Sequence, residues 1–222
     1  MKILTFDTSL NKTYITLSED DNLIVEKNIE STQEKYHSAF LVPAIVEILK
    51  DNSLTMSDIS VIATNIGPGS FTGIRVCNTI ARVFAQQLEA KLVGVSSLEI
   101  LSKINNTSKN SLILMDARKD KVYCAVYSPT GEEIVSPKSI QKEDVLNLAK
   151  DDYFVIADKS ISEYLSVHDI NCVDFEKSEY PLGIYLAHIA YKKVTESSED
   201  FYWAKLKPLY IQPPSISKPK AG

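Results

Sequence analysis

The chain has 222 residues, 44% hydrophobic and 24% charged, the balance of a soluble globular protein with material for one large core or two small lobes. Its formal charge of -5 speaks against a protein that grips nucleic acid by itself, which would carry a basic surface, but leaves room for a local basic patch. Three scattered cysteines, Cys77, Cys124 and Cys172, include no Cys-x-x-Cys pair, which argues against zinc ribbons and disulfide frameworks and fits a reducing compartment.

The first element is a central strand, Lys2 to Asp7; its apolar run is too short for a signal peptide and meets an acid at once. Strands follow over Lys12 to Ser18 and Leu23 to Ile29, with a turn at Asp20-Asp21-Asn22 between them. Ser31 or Thr32 precedes a helix from about Tyr36 to Lys50, in which Pro43 predicts a kink or a late start. Apolar runs such as Ala39 to Val42 are far below the ~20 residues of a membrane span, so no membrane partner and a cytoplasmic location are expected.

A strand over Ser57 to Thr64 leads into the loop Asn65-Ile66-Gly67-Pro68-Gly69-Ser70-Phe71-Thr72-Gly73, which holds three of the seven glycines. Apolar residues at helical spacing follow, Ile74, Val76, Ile80, Val83, Phe84 and Leu88, with Ser70 or Thr72 available as the cap. Such a turn either cradles a phosphate at the helix N-terminus or packs a helix tightly on a sheet. No Gly-Lys-Ser/Thr follows, and the glycines are misplaced for a dinucleotide fingerprint. Lys91 to Val95 reads as a strand, Ser96 to Ile104 as a helix capped by Ser96 or Ser97, and Asn105 to Asn110 as a polar linker.

The opening pattern then returns. Ser111 to Asp116 is an apolar strand ending in aspartate, Lys121 to Tyr127 an alternating strand, Pro129-Thr130-Gly131 a turn, and Glu132 to Val135 a further strand. An offset of 109 residues lays Asp7 on Asp116, Lys12 on Lys121 and Tyr14 on Tyr123 without a gap. Two copies of one α/β unit are predicted, a lobe over 1–105 and a lobe over 106–212. The second copy continues with a helix near Lys142 to Lys150, a strand over Tyr153 to Ala157, a helix near Ser160 to Val167, a helix from Pro181 to Val194 and a last strand over Lys205 to Ile211. The stretch 213–222 has the composition of a disordered tail.

Asp7 and Asp116 each end a buried strand, where an acid can hold a magnesium–phosphate; an enzyme of nucleotide chemistry would act there. No glycine follows either acid closely, so the reading preferred is that both cap turns through side-chain hydrogen bonds. The histidines, His37, His168 and His188, lack the mutual spacing of a zinc site. Gly69-Ser70-Phe71-Thr72-Gly73 comes near a hydrolase elbow, but its serine stands one place too early. The first helix is apolar around nearly its whole circumference, and the helix after the glycine loop is similar. Either both are sandwiched inside the monomer or both offer a second face to a partner.

Taken together, Leu4-Thr5-Phe6-Asp7-Thr8-Ser9, His37-Ser38, Gly67-Pro68-Gly69-Ser70-Phe71-Thr72-Gly73-Ile74-Arg75, Gly94-Val95-Ser96-Ser97-Leu98-Glu99 and Asp116-Ala117-Arg118 with Val122-Tyr123 resemble the bacterial TsaB (YeaZ) family. The resemblance implies an α/β fold of two actin-like (ASKHA) lobes with mixed sheets flanked by helices. It implies a non-catalytic subunit for N6-threonylcarbamoyladenosine in tRNA, without cofactor or metal of its own. The partners implied are a TsaD-like paralogue that carries out the transfer, a TsaE-like ATPase, a second copy of the chain when alone, and tRNA only through the complex. The paralogue's metal histidines would fall on Ser97 and Leu101, which cannot replace imidazole. The pairing surface implied lies on the first two helices, about 36–50 and 73–89. Its residues are His37, Phe40, Leu41, Ala44, Ile45 and Ile48, then Ile74, Val76, Cys77, Ile80, Val83 and Phe84. The chain departs from the family at Cys77-Asn78-Thr79, where small residues are usual, and at Lys121, where an acid or amide is usual.

Overall fold

The computed structural model describes residues 1–10, 12–30, 37–149 and 152–212, with the side chains of 37–39 excepted. Calls on Ser31, Thr32, Tyr36 and Lys150, and the tail over 213–222, lie outside the described residues.

Strands β1 (Lys2–Asp7), β2 (Lys12–Glu19), β3 (Asn22–Glu30), β4 (Val61–Gly67) and β5 (Lys91–Ser96) form a sheet in the order β3-β2-β1-β4-β5. Strands β6 (Ser111–Asp116), β7 (Lys121–Tyr127), β8 (Glu133–Gln141), β9 (Phe154–Ala157) and β10 (Val173–Asp174) form a second, β10-β9-β6-β7-β8. Read from the opposite edge, the second order repeats the first, with an antiparallel meander and parallel additions on its far side. The expected α/β duplication is therefore present.

Helices α1 (His37–Asp51) and α2 (Phe71–Leu88) cover the outer face of the first sheet on Leu4, Phe6, Ile15 and Leu17. Helices α4 (Asp144–Leu148) and α5 (Lys159–Ser166) cover the outer face of the second on Leu112, Leu114, Cys124 and Val126. Between the two sheets lie α3 (Ser97–Ser102) and α6 (Leu182–Glu196). There Leu98, Leu101, Leu186 and Ile189 meet Ile3, Ala63 and Val93 from one sheet and Ile113, Ala125 and Tyr127 from the other. The alternation of inward and outward residues along each strand makes this five-layer stack possible.

The gapless repeat needs one correction. Asp7 pairs with Tyr14, but Asp116 pairs with Val122 and Tyr123 with Met115, so the second hairpin is shorter by one residue. Its tight turn places Arg118, Lys119 and Asp120 at φ of 61°, 52° and 57°. A slip of one residue exchanges the faces of a strand. Ile3 therefore faces the middle layer, whereas its counterpart at the 109-residue offset, Leu112, faces outward.

Other boundaries differ for local reasons. The stretch before β4 is a 3-10 turn, Met56–Asp58, held by the Asp58 carboxylate accepting from Thr55 N and Oγ1, both at 2.8 Å. β4 itself runs on through Asn65 and Ile66 into the glycine loop. β8 passes Pro137 and reaches Gln141, which an edge strand tolerates. The last strand expected over Lys205 to Ile211 is not one. A 3-10 turn, Trp203–Lys205, is followed by an extended strap in which Pro208 has no N–H to offer a ladder. The strap is pinned by Leu209 N donating to Ile66 O at 2.8 Å and by Gln212 Nε2 donating to Ser139 Oγ at 2.7 Å. It thereby crosses from the first sheet to the second.

Candidate functional site

The residues after β1 and the glycine loop form one unit. Asp7 is 2% exposed. Its Oδ1 accepts from Ser9 N at 2.7 Å and Ser9 Oγ at 2.6 Å, and its Oδ2 accepts from Asn65 Nδ2 at 2.8 Å. Asn65 Oδ1 in turn accepts from Gly67 N at 2.7 Å, with Ser97 Oγ 2.9 Å away. The single proton of Ser97 Oγ lies within reach of both Asn65 Oδ1 and Pro68 O, the latter at 2.5 Å. Asp7 thus ties the turn it starts, as an aspartate at a strand end does.

The glycines let α2 sit on that turn. A Cβ at Gly73 would stand 2.0 Å from Thr8 O, and one at Gly69 would stand 2.6 Å from Ser9 O. Ser70 N donates to Ser9 O at 2.8 Å, and Ser70 Oγ caps the helix by accepting from Gly73 N at 3.3 Å. Thr8 N donates to Cys77 Sγ at 3.1 Å, and Thr8 Oγ1 donates to Gly73 O at 3.0 Å. The chain's own Thr8-Ser9 peptide therefore lies against the helix N-terminus where a phosphate would approach. Of the two readings of the loop, close packing of a helix on a sheet is the one the geometry fits. Pro68 follows a cis peptide bond.

Asp116 is exposed and lies elsewhere. Its backbone N–H donates to Asp158 Oδ2, and its Oδ1 accepts from Arg118 N at 3.2 Å. It lines an open acidic recess with Asp158, Lys159, Ser160, Glu163 and Glu176 at the start of α5, on the outer face of the second sheet. Burial pushes the Asp158 carboxyl above the usual carboxylate range. Asp7 faces the middle layer through Asn65 and Ser97, so the two aspartates do not converge on one cleft.

The twelve residues expected on a pairing surface divide. Leu41, Ala44, Ile45, Ile48 and Cys77 are buried in the core beneath α1 and α2, and Ile74 is buried beside Gly67, so these six hold the helices rather than present them. Val76, Ile80 and Phe84 are half-buried at its rim. Phe40 at 55% and Val83 at 50% are exposed, and the side chain of His37 lies outside the described residues. The surface that the resemblance implied omits Val46, 55% exposed, and Val42, which belong to the outward face of α1. The signal was present, since both stand between the core positions Leu41, Ala44, Ile45, Ile48 and Leu49 on the helical repeat.

The departures at Cys77 and Asn78 belong to the interior. Burial and then the Asp7 charge push the Cys77 thiol up to about 12, and Asn78 Nδ2 donates to Ile74 O at 2.7 Å and Asn65 O at 3.2 Å. Lys121 stands on β7, away from α1 and α2. Ser97 is committed to the loop network, and Leu101 is buried.

A family model described as TsaD, tRNA N6-adenosine threonylcarbamoyltransferase, matches residues 24–178. The chain is 33% identical over 156 residues to the tRNA threonylcarbamoyladenosine biosynthesis protein TsaB of Bacillus subtilis (strain 168), covering 68% of this chain and 67% of that one. The chain belongs to the TsaB (YeaZ) family. The TsaB of Buchnera aphidicola subsp. Baizongia pistaciae is 29% identical over 207 residues, 86% of this chain and 91% of the relative. The structure of YeaZ from Pseudomonas aeruginosa superposes with a TM-score of 0.74 at 21% identity, over 94% of this chain and 99% of that one. It shares the fold, two mixed sheets with flanking helices. Among the described residues, no helix is long and apolar enough to cross a membrane.

Proposed function

We propose that this chain is a non-catalytic subunit in the biosynthesis of threonylcarbamoyladenosine in tRNA, one that pairs with a TsaD-class transferase and activates it. The observation that carries the proposal is the outward face of α1 and α2. Exposed Val42 and Val46 on one helix and exposed Val83 with half-buried Val76 and Ile80 on the other give an apolar stripe that the chain's own core covers only in part. Such a stripe is what a partner helix pair would bury. The relatives named for this biosynthesis support the pathway. Asp7, tied by its own turn and turned away from Asp116, counts against a nucleotide-dependent enzyme acting at both acids. A TsaE-class ATPase would join the pair, and the same stripe would form a homodimer when the partner is absent. Lobes over 1–105 and 106–212 belong to the same proposal, since each sheet falls within one of them.

The test is light scattering on size-exclusion runs of the full chain, alone and mixed with the TsaD-class transferase of its own organism. A one-to-one peak is expected, and Val46→Glu with Val83→Glu should abolish it while leaving the melting temperature within about 2 °C, as exposed substitutions do. Co-elution of the double variant at wild-type strength would refute the assignment of the face.

A further inference from the structure

The opposite flank of α2 carries a different kind of surface. Phe71, Arg75 and Arg82 recur on one helical stripe, at spacings of four and seven residues. The strap after α6 lies beside them and adds aromatic rings. The Arg75 guanidinium carbon is 3.8 Å from the centre of the Phe71 ring, and Tyr210 stands 6.2 Å beyond Phe71, centre to centre. Further along, the Arg82 guanidinium carbon is 5.7 Å from the Trp203 ring, which stands 5.2 Å from Tyr202. Phe71, Tyr202 and Tyr210 are each about half exposed.

The charge of this strip departs from that of the whole chain. Lys205 is paired with Asp200 at 2.8 Å. Arg75, Arg82 and exposed Lys207 have no carboxylate within ion-pair distance among the described residues. Two unneutralised arginines thus lie with exposed rings, and Lys207 stands on the same strap between Trp203 and Tyr210, on a protein whose net charge is -5. Phosphates neutralise such cations, and unpaired bases stack on such rings and on arginine planes. From Phe71 to Arg82 the helix rises about 16 Å, comparable to four or five stacked nucleotides at ~3.4 Å each.

We propose that this strip, Arg75, Arg82 and Lys207 with Phe71, Tyr202 and Tyr210, is a contact surface for an unpaired stretch of RNA. It rests on the reading that the chain works in tRNA modification, and it gives the chain itself a hand on the nucleic acid. Three cations on an acidic protein make an accessory grip that adds to a complex, in keeping with the charge balance of the whole chain.

The test is fluorescence anisotropy with two labelled probes, a short mixed-sequence single-stranded RNA and the same sequence as a duplex. Each is titrated with the full chain alone and with the full chain mixed with its TsaD-class transferase, across a salt series. Binding to the single strand at low salt is expected to exceed binding to the duplex. Arg75→Gln with Arg82→Gln should reduce the salt slope by roughly 1.4, at ~0.7 per phosphate contact on a single strand. Tyr202→Ala with Tyr210→Ala should weaken binding at least about tenfold at every salt without changing that slope. Unchanged thermal melts would exclude unfolding as the cause.

Absence of RNA binding at low salt by both chain and mixture overturns the proposal, and so does equal affinity of variants and wild type. Loss of transferase co-elution in the tyrosine variants with RNA binding intact would make the strip a protein contact and overturn it equally. Because the stripe of Val46 and Val83 lies on the other flank, failure to pair with the transferase leaves RNA binding by the chain alone as a separate result.

Discussion

Gly73→Ala tests the account of the glycine loop at its tightest point. The new Cβ would meet Thr8 O at 2.0 Å, Thr8 C at 2.7 Å and Ser9 Cα at 2.9 Å, all backbone atoms, where ordinary contact begins near 3.4 Å. The turn and the helix end must separate by more than 1 Å, which overpacking data put at about 1–3 kcal/mol. Separation also strains Ser70 N to Ser9 O and Thr8 Oγ1 to Gly73 O, each worth about 1 kcal/mol. Alanine returns at most ~1 kcal/mol of helix propensity. The net loss is about 3 kcal/mol, or roughly 6–12 °C in melting temperature for a chain of this size.

Gly94→Ala is the matched control. Its Cβ would meet Leu206 Cδ1 at 2.7 Å and Ile66 Cγ2 at 2.8 Å, the ends of side chains that can rotate away. Its cost should stay near ~1 kcal/mol. Thermal unfolding followed by far-UV circular dichroism compares the two, and hydrogen exchange at the Thr8 and Ser9 amides localises the effect. If Gly73→Ala melts no lower than Gly94→Ala, the packing explanation of the loop is wrong.

Asp7→Asn should cost about 2 kcal/mol, because an amide presents two donors to a site built of donors, whereas Asp116→Asn on the exposed strand end should stay within ~0.5 kcal/mol; chemical denaturation of both variants measures the difference. A thiol reagent at neutral pH should reach half-buried Cys172 first and label Cys77 only as fast as the protein unfolds, which mass spectrometry of the labelled peptides would follow. Glu176 has its pKa raised by burial and then by Asp158 and Asp174, so its contribution is present below the unfolded carboxylate value and is lost as pH rises through the folded one. Glu176→Gln should therefore be more stable than wild type at neutral pH, with the gain fading toward about pH 4 in urea titrations; a gain that grew on acidification would contradict the sign.

The duplication was legible because the order strand, acid, strand, turn, strand depends on hydrophobic alternation, which both copies keep. The one-residue slip was not, because Lys12 on Lys121 and Tyr14 on Tyr123 align without a gap while the shortening is absorbed in the turn at Arg118 to Asp120. The glycine loop announced close packing, but what it packs on, Thr8 and Ser9, lies some 60 positions away and is joined only by the β1–β4 pairing. The surplus of apolar residues on α1 was visible at once. Which of them turn outward depends on where the sheet lies, and sequence alone does not separate buried Leu41 and Ile45 from exposed Phe40. The strap reads as a strand in sequence because Leu206, Leu209 and Ile211 are apolar; Leu206 and Ile211 pack on existing cores and Leu209 makes one backbone bond to Ile66, without extending a ladder.

Helix α6 bears on the order in which the molecule can be completed. Its residue Gly183 lies so close to β2 that an added Cβ would stand 2.5 Å from Thr16 Oγ1, although the helix belongs to the last quarter of the chain. On the ribosome, β1 to β5 and the helices α1 and α2 emerge first and can assemble their outer layer. Their inner surface, with Ile3, Tyr14 and Val61, stays uncovered until Leu182–Glu196 arrives. At 5–20 residues per second the wait from the end of α3 is roughly 5–20 s. A nascent chain stalled before that helix would expose a sheet face of its own making, and it is there that a chaperone or an aggregation event would first find it.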